Sequence, residues 1–189
     1  MAIHLEIRTY GDPVLRAPAR PVAGVTAELR QLARDMVAAL RARQGVGLAA
    51  CQVGRREALC VIEVPARYDT DETTGLRWHP DVEMPWTLFN PVIVRASADE
   101  ETSEEGCLSF PDIVAPILRS VEITLRYLDA DGQPRERVVR KFLARVVQHE
   151  LDHLAGKLLV DRMSSLKKIA LRGQLRRLKQ ETEAELGLA

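Results

Sequence analysis

Residues 148–156 read Gln148-His149-Glu150-Leu151-Asp152-His153-Leu154-Ala155-Gly156, and the spacing of the two histidines decides what the surrounding chain must build. Four residues is slightly more than one helical turn, so on an α-helix both imidazoles leave the same face with Cβ atoms roughly 5–6 Å apart. Rings placed this way can reach one ion at ~2.0–2.1 Å. Glu150 then lies beside a water on that ion without competing as a ligand. The flanks supply the helix, because Phe142 to Leu154 carries apolar residues at helical spacing. The competing reading is a surface helix that holds two histidines by chance. The chain has only 4 histidines, and two of them fall here around a correctly placed glutamate. The segment therefore predicts a metal-dependent hydrolase with His149 and His153 as ligands and Glu150 as general acid/base.

Working outward, Leu29, Leu32, Met36 and Leu40 form one helical stripe that starts after Thr26, a suitable N-cap, and stops at Gly45. Gly45 to Gly54 is glycine-framed and apolar, and Leu59 to Val64 reads as a buried strand. Arg8 to Pro21 is punctuated by proline and glycine and reads as loop. Pro65 to Trp86 is polar, aperiodic and framed by Pro65 and Pro85, which predicts a long surface excursion holding His79, Trp78 and Trp86. Thr87 to Val94 is strand-like, Asp99 to Glu105 reads as an acidic loop, and Val121 to Leu128 alternates as a half-buried strand. Asp131-Gly132 marks a hairpin turn into Arg137 to Arg140. A third helix runs from Ser164 to about Glu185. The expected fold is α+β in a single domain over residues 1–189: antiparallel strands packed around a central helix carrying H-E-x-x-H, with a C-terminal helix at 164–186.

Composition is that of an ordinary globular protein, 46% hydrophobic and 29% charged. Lys plus Arg and Asp plus Glu number 27 each, so net charge points to no nucleic acid or anionic membrane. Met1 to Tyr10 lacks the apolar run of a signal peptide, and no stretch has the ~18 apolar residues of a membrane span. The three cysteines, Cys51, Cys60 and Cys107, are too few and too scattered for a disulfide framework. These features predict a soluble, cytoplasmic protein.

Two histidines do not complete a hydrolytic site; a third protein ligand is needed. Gly156 also fits the metzincin protease pattern, but that pattern needs a third histidine where Leu159 stands. Asp161, a C-terminal glutamate or a cysteine remain. Cys107, in Glu105-Gly106-Cys107-Leu108-Ser109, is either a thiolate ligand or a small buried hydrophobe, as Cys60 and Cys51 are expected to be.

Three segments in order, GVGLAACQ (45–52), EGCLS (105–109) and QHELDHLAG (148–156), resemble the signature motifs of the peptide deformylase family, and TYGDPVLR (9–16) resembles its N-terminal segment. The resemblance spans roughly Arg8 to Met163. It implies a metal held by Cys107, His149 and His153, and an activated water that attacks the formyl carbonyl of N-formylmethionyl peptides. It assigns proton transfer to Glu150, oxyanion stabilisation to the Gln52 amide and the Leu108 backbone N–H, and a substrate contact to the Gly47 backbone. The implied ion is one divalent metal, natively Fe(II), with Ni, Zn or Co as substitutes. A zinc endopeptidase of the H-E-x-x-H type is the alternative. Two departures stand out: Pro111 to Pro116 lacks an arginine that many bacterial relatives carry there, and the 65–86 excursion is long. Between Arg162 and Lys179 the chain is basic with no acidic residue, and Lys168, Arg172, Arg176 and Lys179 share one helical face. That face is either a solvated surface or, as the resemblance implies for some bacterial members, a contact to the ribosome.

Overall fold

The computed structural model describes residues 5–188, so the first four residues of the Met1–Tyr10 segment lie outside the described residues. In chain order the elements are α1 (Ala27–Ala42), β1 (Gly47–Ala49), β2 (Leu59–Ile62), β3 (Trp86–Ala96), β4 (Glu100–Cys107), β5 (Phe110–Ser120), β6 (Glu122–Leu128), β7 (Pro134–Arg140), α2 (Lys141–Leu154), α3 (Leu159–Arg162) and α4 (Ser165–Glu185). The main sheet has the order β1-β2-β3-β6-β7, every pair antiparallel, and β4 with β5 forms a separate ribbon.

Two helices cover the main sheet. Thr26 caps α1, its hydroxyl accepting from the Leu29 N–H, and the face Leu32, Met36, Val37 and Leu40 packs against Leu48, Leu59, Val61 and Phe89. α2 buries Leu143, Ala144, Val146, Val147 and Leu154 in the larger core with Ile62, Leu88, Ile117 and Leu125. Each large aliphatic side chain among them stabilises the fold by roughly 1.5–3 kcal/mol of burial, and this apolar face is what helical periodicity reads in the sequence. α2 therefore lies between sheet and ribbon, and the expected α+β arrangement holds. Among the described residues no helix is long and apolar enough to cross a membrane.

Three local readings need correction. The acidic stretch 99–105 is not a loop: Glu100 to Cys107 form β4, paired with β5 from Glu100–Ser120 to Cys107–Phe110. Only Glu105 of this strand is buried, so no hydrophobic alternation announces it, and the backbone ladder to β5 holds it instead. The 65–86 excursion is not wholly superficial. Asp69 and His79 are 1% and 4% exposed. The His79 ring pairs through Nδ1 with Asp69 Oδ1 at 2.5 Å, and its Nε2 accepts from the Arg140 N–H at 3.0 Å, where β7 runs into α2. Tyr68 packs on Phe142 of α2 with ring centroids 5.2 Å apart. Finally, the Arg8–Pro21 loop contains a turn of 3₁₀-helix at Pro13–Arg16.

The C-terminal helix docks on the N-terminal segment. Leu175 and Thr182 are buried, and the Thr182 hydroxyl meets that of Thr9 at 2.6 Å. Gly11 has φ +122°, and a Cβ there would lie 2.8 Å from the Lys179 carbonyl oxygen, so only glycine lets the helix approach this closely.

Candidate metal centre

α2 carries His149 and His153 on its cleft-facing side, with ring centroids 5.0 Å apart. The ribbon brings the third group: an irregularity between Gly106 and Cys107, where β4 turns into β5, presents the Cys107 thiol to the helix. Cys107 Sγ lies 3.2 Å from His153 Nε2. One donor atom from each of Cys107, His149 and His153 falls within 4.8 Å of the others. One thiolate and two imidazoles converging on a point fit a borderline first-row divalent ion, and they leave a position open for chemistry. Asp161, the alternative ligand, is occupied elsewhere by Arg16 and the Leu158 N–H, and Leu159 is a core residue. Cys51 and Cys60 are buried, and burial pushes the Cys51 thiol up to about 12, so both are structural.

Behind the ligands lies a buried ionic network that the sequence reading did not single out. Glu105 Oε2 accepts from His149 Nδ1 at 2.9 Å, which leaves Nε2 as that ring's free donor atom. The same carboxylate takes the Arg119 guanidinium through Nε at 3.0 Å and NH2 at 2.9 Å, and Arg145 at 2.8 Å. Burial alone would raise the Glu105 pKa, but the hydrogen bonds from His149 and Arg119 outweigh it and hold the group at about 2. Asp152, between the two histidines, joins Arg119 to Arg162. Neighbours of this kind fix the orientation of a ligating histidine. Glu105 stands in the EGCLS segment and Asp152 in the H-E-x-x-H stretch. Nothing in sequence spacing indicates that Arg119, on another strand, and Arg145 meet Glu105. His153 is buried, and burial holds its pKa well below the ordinary imidazole range, which favours the neutral form that a metal accepts.

Gly47, Gln52, Cys107, Leu108, His149 and Glu150 all line one cleft of about 550 Å³, and His153 sits beneath Cys107. Glu150 is 3% exposed, and its Oε2 has no hydrogen-bond partner. Burial raises its pKa to about 7. Gln52 is not a solvent-exposed amide. Its Oε1 accepts from the Ala49 N–H at 2.8 Å, so its Nε2 points to the centre, 3.2 Å from Ser109 Oγ and 3.5 Å from Cys107 Sγ. The cleft's apolar wall includes Val46, Phe110, Ile113, Phe142 and Val146.

The sequence profile described as polypeptide deformylase matches residues 4–169. The chain belongs to the polypeptide deformylase family. A relative named peptide deformylase from Nitrosococcus oceani is 42% identical over 172 residues, covering 91% of this chain and 93% of its own. Another from Opitutus terrae is 40% identical over 186 residues, covering 95% of each. The crystal structure of peptide deformylase from Ehrlichia chaffeensis superposes with a TM-score of 0.82 at 32% identity, covering 97% of this chain and 99% of that one. Family membership makes the chain a metal-dependent deformylase, and the zinc endopeptidase alternative is not favoured.

Proposed function

We propose that this deformylase hydrolyses the formyl group of N-formylmethionyl peptides with one divalent ion held by Cys107, His149 and His153. The supporting observation is the convergence of these three donors in a cleft that also holds a buried carboxylate and an oriented amide. When bound, such an ion polarises a carbonyl and lowers the pKa of water. Glu150 takes the proton from the attacking water and delivers it to the departing amine; a carboxyl near pH 7 can do both. Gln52 Nε2 and the Leu108 N–H donate to the developing oxyanion, each such donor being worth about 10²–10³ in kcat. The Gly47 backbone contacts the peptide, and the apolar wall receives the methionine side chain. We take Fe(II) as the native ion, with Ni, Zn and Co as substitutes, since this donor set suits several first-row metals.

The test offers the metal-loaded enzyme a formylated methionyl dipeptide and, separately, an unformylated protein. Formate and free amine appearing in equal amounts, with the protein left intact, supports the proposal. Internal cleavage without formate overturns it.

Such substrates are newly made chains, and we take the enzyme to work on them in the cytoplasm, near the ribosome. α4 docks through Leu171, Leu175 and Leu178, leaving Arg172 and Arg176 exposed, while Lys168, half-buried, and Lys179, exposed and paired with Glu183 at 3.6 Å, flank the docked face. We assign Lys168, Arg172, Arg176 and Lys179 to ribosomal RNA. Four phosphate contacts give a log–log salt slope of about −3 to −4. Reversing all four to glutamate should abolish co-sedimentation with ribosomes at low salt and spare dipeptide hydrolysis. Unchanged co-sedimentation would return the helix to a purely structural role.

A further inference from the structure

Gly47 sits in β1, paired with Ile62, and its φ lies outside the left-handed region, so the backbone makes no demand for glycine there. A glycine inside a strand marks a place where another group approaches closely. Here that group is Glu150. A Cβ on Gly47 would lie 2.3 Å from Glu150 Oε1, 2.9 Å from Cδ and 3.0 Å from Cγ. Gly45, two residues earlier, differs: a Cβ there would meet the aliphatic side chains of Leu40 and Leu108, at 2.6 and 3.0 Å. Glu150 has a buried oxygen with no hydrogen-bond partner, so packing contributes to fixing its position.

We propose that Gly47 is a positioning residue: its bare Cα face is the seat that sets where the Glu150 carboxylate stands. This rests on the reading of Glu150 as proton carrier and is separate from a backbone contact between Gly47 and the peptide. A methyl group at this position forces Oε1 to retreat by about 1 Å before ordinary contact, at 3.4 Å or more, is restored. Oε1 is the end of a flexible side chain, so the fold absorbs the move while the proton carrier leaves its place. Misplacement of about 1 Å in a catalytic group costs about 10²-fold in rate.

The test compares wild type, G47A, E150A, G47A/E150A and E150Q, all metal-loaded, by kcat and KM for formate release, metal stoichiometry, and a crystal structure of G47A. G47A should keep one metal per chain, lose about 10²-fold in kcat with KM little changed, and show a displaced Glu150 carboxylate. Alanine at 150 removes Cγ, Cδ and Oε1, the three atoms an added Cβ would meet, so adding G47A to E150A should change the residual kcat by no more than about 2-fold. A rise in KM alone, an unmoved carboxylate, or penalties that multiply in the double variant would overturn the seat and leave Gly47 a substrate contact. Full kcat in E150Q would instead sink the role of Glu150 itself, whatever G47A does. If G47A does not fold, the double variant decides: folding with E150A-like activity supports the seat, and failure to fold refutes it.

Discussion

Replacing Glu105 with glutamine keeps the size of the side chain and removes the anion that three donors share. Its two oxygens accept four hydrogen bonds, two from Arg119, one from Arg145 and one from His149. Glutamine retains one acceptor oxygen and turns an NH₂ toward donors. Arg145 keeps the carbonyls of Ile117 and Glu101, and Arg119 keeps Asp152. The network is therefore weakened without being emptied. The magnitude follows from the pKa, which falls from 4.5 to about 2 on folding. At 1.36 kcal/mol per unit this is on the order of 3 kcal/mol, in line with the cost of breaking a buried ion pair. The folded value is depressed, so this stability is fully present above about pH 4.5 and disappears as pH falls toward 2. Urea unfolding of Glu105→Gln at pH 7 should show a loss of about 3 kcal/mol, and the difference from wild type should shrink through that acid window. The His149 ring also loses a full acceptor at Nδ1, so metal affinity by chelator competition should drop about 10–100-fold. Stability within about 1 kcal/mol of wild type together with unchanged metal affinity would refute the argument that this network orients the ligand.

Other perturbations separate the remaining roles. Cys107→Ala, His149→Ala and His153→Ala should each abolish stoichiometric metal, measured by elemental analysis, and formate release with it; a fully loaded, active Cys107→Ala would break the ligand assignment. Glu150→Gln should keep the metal and lose ~10²–10⁴ in kcat, whereas loss of metal would make this residue a ligand. An Fe(II)-loaded sample should lose activity in air as the metal and Cys107 oxidise, while a Ni(II)-loaded sample persists; equal decay of the two would point to unfolding. His79→Ala leaves the Asp69 carboxylate and the Arg140 N–H without their shared partner, and should lower stability by about 1–3 kcal/mol in urea. A neutral result there would mean the 65–86 excursion is held by its other contacts.

The sequence by itself determined the elements whose side chains show an apolar period or an unbroken apolar run: α1, α2, α4, β2, β3 and β6. It also placed His149, Glu150 and His153 on one helical face, because an i, i+4 spacing is a property of the helix and needs no partner. Cys107 is different in kind. From composition it is equally a ligand or a core thiol; the family resemblance separates the two, and the ribbon bends it onto α2. The strand β4 was unreadable because its outward-facing acidic residues carry no hydrophobic period; its existence depends on β5, which the chain reaches only after the turn at Leu108 and Ser109. The buried pairing of Asp69 with His79 and the meeting of Glu105, Arg119, Arg145 and His149 are likewise tertiary facts. Polar residues hidden by folding look the same in sequence as polar residues in water. Gly47 makes the point at a single position: a glycine in an apolar run shows that space is needed, and only the packed structure shows that Glu150 fills it.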